Sequence, residues 1–103
     1  MRIITERKLR EFCGAADGGE RSRREKAIRE WKAVVRRADW KNFSDVRRTF
    51  NHDDIYCRCA IFDVGGNRYR IIAKVAYGIN VVFIRAVLTH PEYDRGNWKQ
   101  DCE

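Results

Sequence analysis

Proline is nearly absent from these 103 residues: there is one, Pro91. No Pro-, Ser- or Gly-rich linker divides the chain, and neither an internal repeat nor a low-complexity tract is visible. A single domain spanning residues 1–103 is the reading, near the modal domain size. Long apolar runs are missing too. Nothing approaches the length of a membrane span, and "MRIITERKL" lacks the apolar core of a signal peptide, so a cytoplasmic chain with no membrane partner is expected. Cysteine is sparse, four in all (Cys13, Cys57, Cys59 and Cys102). Without a secretion signal, reduced thiols are the expectation. "YCRCA" has the C-x-C spacing, but a zinc site wants further ligands, commonly a second close pair, and none is present. No metal and no cofactor are therefore expected.

What the chain does have is an apolar fraction of 44%, enough for one core, and a formal charge of +7. The excess is confined to one half. Residues 1–50 carry 15 Lys/Arg against 8 Asp/Glu, and residues 51–103 carry 7 against 7. A basic field of this kind favours nucleic acid, an acidic protein or an anionic surface, although a solvated helix face has the same composition.

Periodicity orders the elements. "RIIT" reads as an opening strand, with Thr5 placed to cap a helix over Glu6–Ala16. A longer helix over Glu20–Ala38 carries Ala27, Ile28, Trp31, Val34, Val35 and Ala38 on one stripe. Ser44 is placed to cap one further turn, and "FNHDD" (Phe50–Asp54) reads as a loop. Strand patterns follow at Tyr56–Val64, Arg68–Tyr77 and Val81–Leu88, joined by the turns "GGN" and "GIN". This is an α+β domain of order β-α-α-β-β-β, with two N-terminal helices packed on one face of a mostly antiparallel sheet. Residues 95–103 read as a loose tail.

The two-residue period of strands sorts the side chains. Tyr69, Ile71, Ala73, Val75 and Tyr77 are expected to meet the helices, leaving Arg68, Arg70 and Lys74 on the opposite face. Val82, Ile84, Ala86 and Leu88 are likewise assigned inward, which turns Arg85 outward beside Phe83, within reach of the Arg70/Lys74 row. Beyond that strand, "THPEYD" adds Thr89, His90, Glu92, Tyr93 and Asp94. Pro91 favours an extended His90. RNA cleavage through its own 2′-OH needs a proton acceptor, a proton donor and charge stabilisation on phosphate; Arg68, Arg70, Lys74, Arg85, His90, Glu92 and Tyr93 are groups of those kinds. An exposed histidine at the exit of a strand is the plainer alternative for His90.

Four segments, "MRIITERKLREF", "ADWKNFSDVRRTF", "FDVGGNRYRIIAKVAY" and "VFIRAVLTHPEYD", together resemble the HigB family of bacterial type II toxins, mRNA interferases with a RelE/ParE-like fold. The likeness runs from Met1 to about Asp94. It implies an endoribonuclease that cuts mRNA, in the context of the translating ribosome, and that is neutralised by a helix-turn-helix antitoxin of the HigA type. On that basis Arg70, Lys74 and Arg85 are expected to stabilise the scissile phosphate, and His90 or Tyr93 to relay protons. Arg68, Phe83, Glu92, Arg36 and Arg37 are expected to contact RNA, the last two through the basic helical field that would meet rRNA phosphates. Two rival classes remain, a RelE/ParE-like gyrase inhibitor and a plain RNA-binding module.

Overall fold

In the computed structural model, which describes residues 1–103, five strands form one sheet of spatial order β1-β5-β4-β3-β2. They are β1 (Arg2–Ile4), β2 (Asp54–Tyr56), β3 (Cys59–Val64), β4 (Tyr69–Ala76) and β5 (Val81–Thr89). Strands β2 to β5 are antiparallel neighbours, and β1 joins β5 in parallel. The α+β class and the N-terminal helix pair agree with the sequence reading.

Helices α1 (Arg7–Gly14) and α2 (Gly18–Arg37) lie on one face. The core between them and the sheet holds Leu9, Phe12, Ile28, Trp31 and Val35 against Phe62, Tyr69, Ile71, Val82 and Ile84. Val34, assigned to the buried stripe, is instead exposed at 39%. Neither predicted cap forms. Thr5 has φ 71°, and the N-cap of α1 is Glu6, which makes no side-chain cap; Asn42, not Ser44, caps α3 (Phe43–Thr49) by accepting from the Asp45 N–H. Asn42 wins because it sits in extended backbone one residue before the helix, where an N-cap belongs.

Three further departures bear on function. The expected strand over Tyr56–Val64 is a hairpin, β2–β3, which turns at Cys57–Arg58 with Cys57 at φ 52°. Second, β5 contains a bulge. Ile72 pairs with Ala86 and Ala73 with Ile84, so Arg85 faces no partner residue. An extra residue reverses the facing of everything beyond it. Val87 therefore packs on the helical core, while Ala86 and Leu88, assigned inward from the sequence, emerge on the outer face.

Third, the tail is folded. After α4 (His90–Arg95), α5 (Lys99–Cys102) returns across the outer face. Trp98 and Cys102 are buried with Cys59, Ile61 and Ile72 in a second apolar cluster, flanked by Tyr56, Ala86, Leu88 and Tyr93. Cys59 and Cys102 are joined as a disulfide between Cα atoms 5.5 Å apart, against the expectation of reduced thiols. The sheet thus has apolar residues on both faces, and the tail covers the second one.

Candidate RNA-binding face

Strand β4 carries Arg70 and Lys74 outward, four residues apart, about 13 Å along the strand at the usual rise. Each anchors a different group. At one end Arg70 lies opposite Asp63 on β3. Its guanidinium donates to Asp63 Oδ1 (3.2 Å) and to Asn67 Oδ1 (2.5 Å), and stands 5.0 Å from the centre of the Tyr93 ring. The Arg70 side chain is only 11% exposed. It is a held strut beneath Tyr93 rather than a free phosphate ligand.

Arg68, exposed at the end of the β3–β4 turn, accepts the His90 N–H on its carbonyl (3.0 Å). This bond brings the exit segment of β5 beside the turn. Here the structure corrects the extended reading of His90. Thr89 is the extended residue, and His90 and Pro91 begin α4. Proline is well suited to the first turn of a helix, where its missing N–H costs nothing. Thr89 and Glu92 form a capping box: Glu92 Oε1 accepts from the Thr89 N–H (2.8 Å) and hydroxyl (2.9 Å). Those bonds, led by the backbone one, hold the Glu92 carboxyl below its ordinary range. Glu92 is bonded at the helix start.

The first turn of α4 then sets the imidazole. His90 Nδ1 lies 2.8 Å from Asp94 Oδ2, one helical turn on. The His90 ring is 6.5 Å from the Tyr93 ring, edge to face. Burial raises the Tyr93 phenol above its ordinary value, which keeps it a proton donor.

At the other end, Lys74 pairs across the sheet with half-buried Phe83. The bulge residue Arg85 grips Asp101 of the tail with two hydrogen bonds, Nε to Oδ2 and Nη2 to Oδ1, each 2.6 Å. Arg85 is the chief cause of the lowered Asp101 carboxyl, and Lys74 and Lys8 add to it through their charge. Lys8 also donates to the Arg85 carbonyl (2.9 Å). Arg85, Lys74, Lys8 and Asp101 are thus one electrostatic group.

The predicted cluster is therefore two clusters on one face. Arg70, His90 and Tyr93 meet at the α4 end, where the Arg68 carbonyl holds the His90 N–H, and Lys74, Phe83 and Arg85 lie toward the bulge. Trp98, Ile72 and Leu88 are part of the apolar cluster on that same face. Arg36 and Arg37 belong to neither, since both sit at the end of α2 in the helical layer. Arg36 pairs with Glu6, which also takes Lys32 at 2.6 Å. Much of the N-terminal positive charge is locally balanced in the same way, as with Arg23 and Arg24 on Glu20. Asp101, Asn67 and Lys8 escaped the sequence reading. The signal for Asp101 was its neighbour Trp98, a large aromatic in an otherwise polar tail.

A family profile described as "HigB_toxin, RelE-like toxic component of a toxin-antitoxin system" matches residues 24–96. The chain belongs to the HigB toxin family. That span holds all of β2 to β5 and α4, hence both clusters, but not Asp101 or Cys102. Among individual proteins the chain is similar to the mRNA interferase toxin HigB of Escherichia coli (strain K12), 47% identical over 34 residues. It is equally similar to the mRNA interferase HigB of Shigella flexneri. Each of these matches spans about a third of this chain and 33% of the relative.

Proposed function

We propose that this HigB-family chain is an endoribonuclease that cleaves mRNA by attack of a 2′-OH on the adjacent phosphate. The observation that carries the reading is the His90–Asp94 pair at the rim of the outer face, with Arg70 and Tyr93 beside it and the Arg68 backbone bonded to His90. A carboxylate at Nδ1 favours the tautomer that carries its proton there, leaving Nε2 as the acceptor. His90 Nε2 takes the proton of the 2′-OH. Tyr93, kept protonated by burial, donates to the phosphate or to the leaving 5′-oxygen. Arg68 meets the charge that builds on the phosphate oxygens, and Arg70 positions Tyr93 from below. Lys74 and Arg85 bind a neighbouring phosphate of the same strand, and Phe83 offers a ring for an unpaired base.

The substrate is messenger RNA on the translating ribosome, and the partner is an antitoxin of the same system. The net charge supports both, since rRNA phosphates and an acidic partner segment would each be drawn to it.

The test is to add the protein to actively translated message and map new 5′ ends. His90→Ala should lower the cleavage rate by about 100-fold or more, the usual range for a lost general base. Lys74→Ala should weaken RNA binding and leave the turnover of bound message largely intact. Intact message together with blocked DNA supercoiling would replace the nuclease reading with gyrase inhibition.

A further inference from the structure

The group that holds Arg85 is a carboxylate from the same chain, placed as a phosphate would be. Asp101 meets the guanidinium edge with two parallel bonds of 2.6 Å, the fork geometry that arginine offers to phosphates and carboxylates alike. Lys74 and Lys8 contribute their charge to the same carboxylate. Around it the tail is fixed at further points. Trp98 stacks on Tyr93 (5.1 Å, 10° between planes) and donates from Nε1 to the Tyr93 carbonyl (2.9 Å). The Tyr56 hydroxyl donates to Glu103 (2.8 Å). Cys102 is bonded to Cys59 of β3.

Of these attachments only the disulfide is covalent. The Arg85–Asp101 pair is 42% exposed on both sides, and an ion pair in that setting is weak alone. Tethering changes this. The bond at Cys102 confines the adjacent carboxylate to the neighbourhood of Arg85, so its effective concentration there is far above that of a free anion.

From this we infer that residues 96–103 form a redox-controlled strap that withholds the RNA face. In the disulfide form Asp101 occupies the phosphate-binding cations, and Trp98 covers Tyr93. A dithiol reductant opens the strap. One of its thiolates attacks Sγ of Cys102, and Cys59 departs as a thiolate. The second thiolate of the reductant then displaces Cys102. Two electrons and two protons pass to the protein, leaving Cys59 and Cys102 as thiols and the reductant as its own disulfide. Both sulfurs belong to buried residues, so the attack follows local opening of the tail, beside the exposed thiol of Cys57. Regulation of cleavage in this way rests on the nuclease reading above, whereas control of RNA binding does not.

The experiment compares wild type, Cys102→Ser and Asp101→Asn with and without dithiothreitol, with the thiol state checked by alkylation and mass. Two quantities are read: binding of a short single-stranded RNA, and cleavage of message in a translation mix prepared without thiols. Reduction should raise wild-type binding and cleavage about tenfold, as when a competent fraction of one tenth becomes the whole. Cys102→Ser should match reduced wild type and ignore the reductant. Asp101→Asn, which keeps the disulfide, should show part of the gain while oxidised. Equal cleavage and binding in both thiol states would overturn the strap and leave the nuclease standing. Binding that rises on reduction without cleavage in any form would keep the strap and overturn the nuclease. A wild-type chain that forms no disulfide under oxidant, or a reduced chain that neither binds nor cuts, would overturn the strap, the latter together with the nuclease.

Discussion

Asp53 shows how one side chain can work against the fold that holds it. It is buried at 3% exposure, accepts the Asp63 N–H on Oδ1 (3.0 Å), and has no partner for Oδ2. Burial, partly countered by that hydrogen bond, pushes its carboxyl up to about 7. The unfolded chain ionises it near its ordinary value of 3.8, so above that pH the unfolded state gains a charge that the folded state resists. Stability contributed by this group is full below pH 3.8, falls as pH rises and levels off above about 7. Asp53→Asn should therefore raise the melting temperature at pH 8 and have little effect near pH 4. The gap between 3.8 and about 7 bounds the gain at about 4 kcal/mol. A thermal melt series over that pH range checks it. Gly65 is constrained in the opposite sense. It has φ +65°, and a Cβ there would lie 2.8 Å from the Tyr69 ring, which is fixed through its hydroxyl on Glu20. Gly65→Ala should destabilise by roughly 2 kcal/mol, the middle of the range for strained backbone, and denaturant unfolding measures it.

Among the elements, α4 is a helix of only six residues, and its position depends on its cap. Thr89 supplies the N-cap and Glu92 the returning carboxylate. Thr89→Ala removes one half of the box and should cost about 1 kcal/mol of stability. Because His90 is the next residue, the same change should lower cleavage, and rescue by Thr89→Ser would assign the loss to the cap. The signature T-x-x-E was legible in "THPE". Reading Pro91 as a signal for extension obscured it, although a proline in the first helical turn points the other way. The β5 bulge was not legible. Val81–Leu88 alternates acceptably with or without the extra residue, and only its pairing with β4 assigns Arg85 as unpaired. Sequence periodicity alone sent Ala86 and Leu88 to the wrong face for that reason.

Across the whole molecule, the +7 charge and the one face left by the helices imply salt-sensitive RNA binding. If the open face engages about four phosphates of a single strand, affinity should fall about 50-fold between 50 and 200 mM salt. Filter binding of the reduced protein measures the slope, and a flat response would remove RNA from the list of ligands. Many of the N-terminal cations are held in pairs such as Arg21–Glu25 and Arg48–Asp45, so charge-removing changes on α2 should alter this slope less than Lys74→Ala does.

While the family resemblance came from four particular segments, the alternation and stripe patterns were sufficient to define two helices and their seat on one side of a sheet, because burying an apolar face constrains a chain at every third or every second residue. They also placed Arg70, Lys74, His90 and Tyr93 in one half of the chain. Three-dimensional packing settled which of these meet. Arg70 is bound by Asp63 and Asn67 and Arg85 by Asp101, through hydrogen bonds whose geometry depends on strand register and on a bulge. The fate of the tail was also a matter of packing. "RGNWKQDCE" is too polar and short to declare a buried surface, and its Trp98 and Cys102 find partners only on an outer face that carries apolar and aromatic residues from strands β2 to β5.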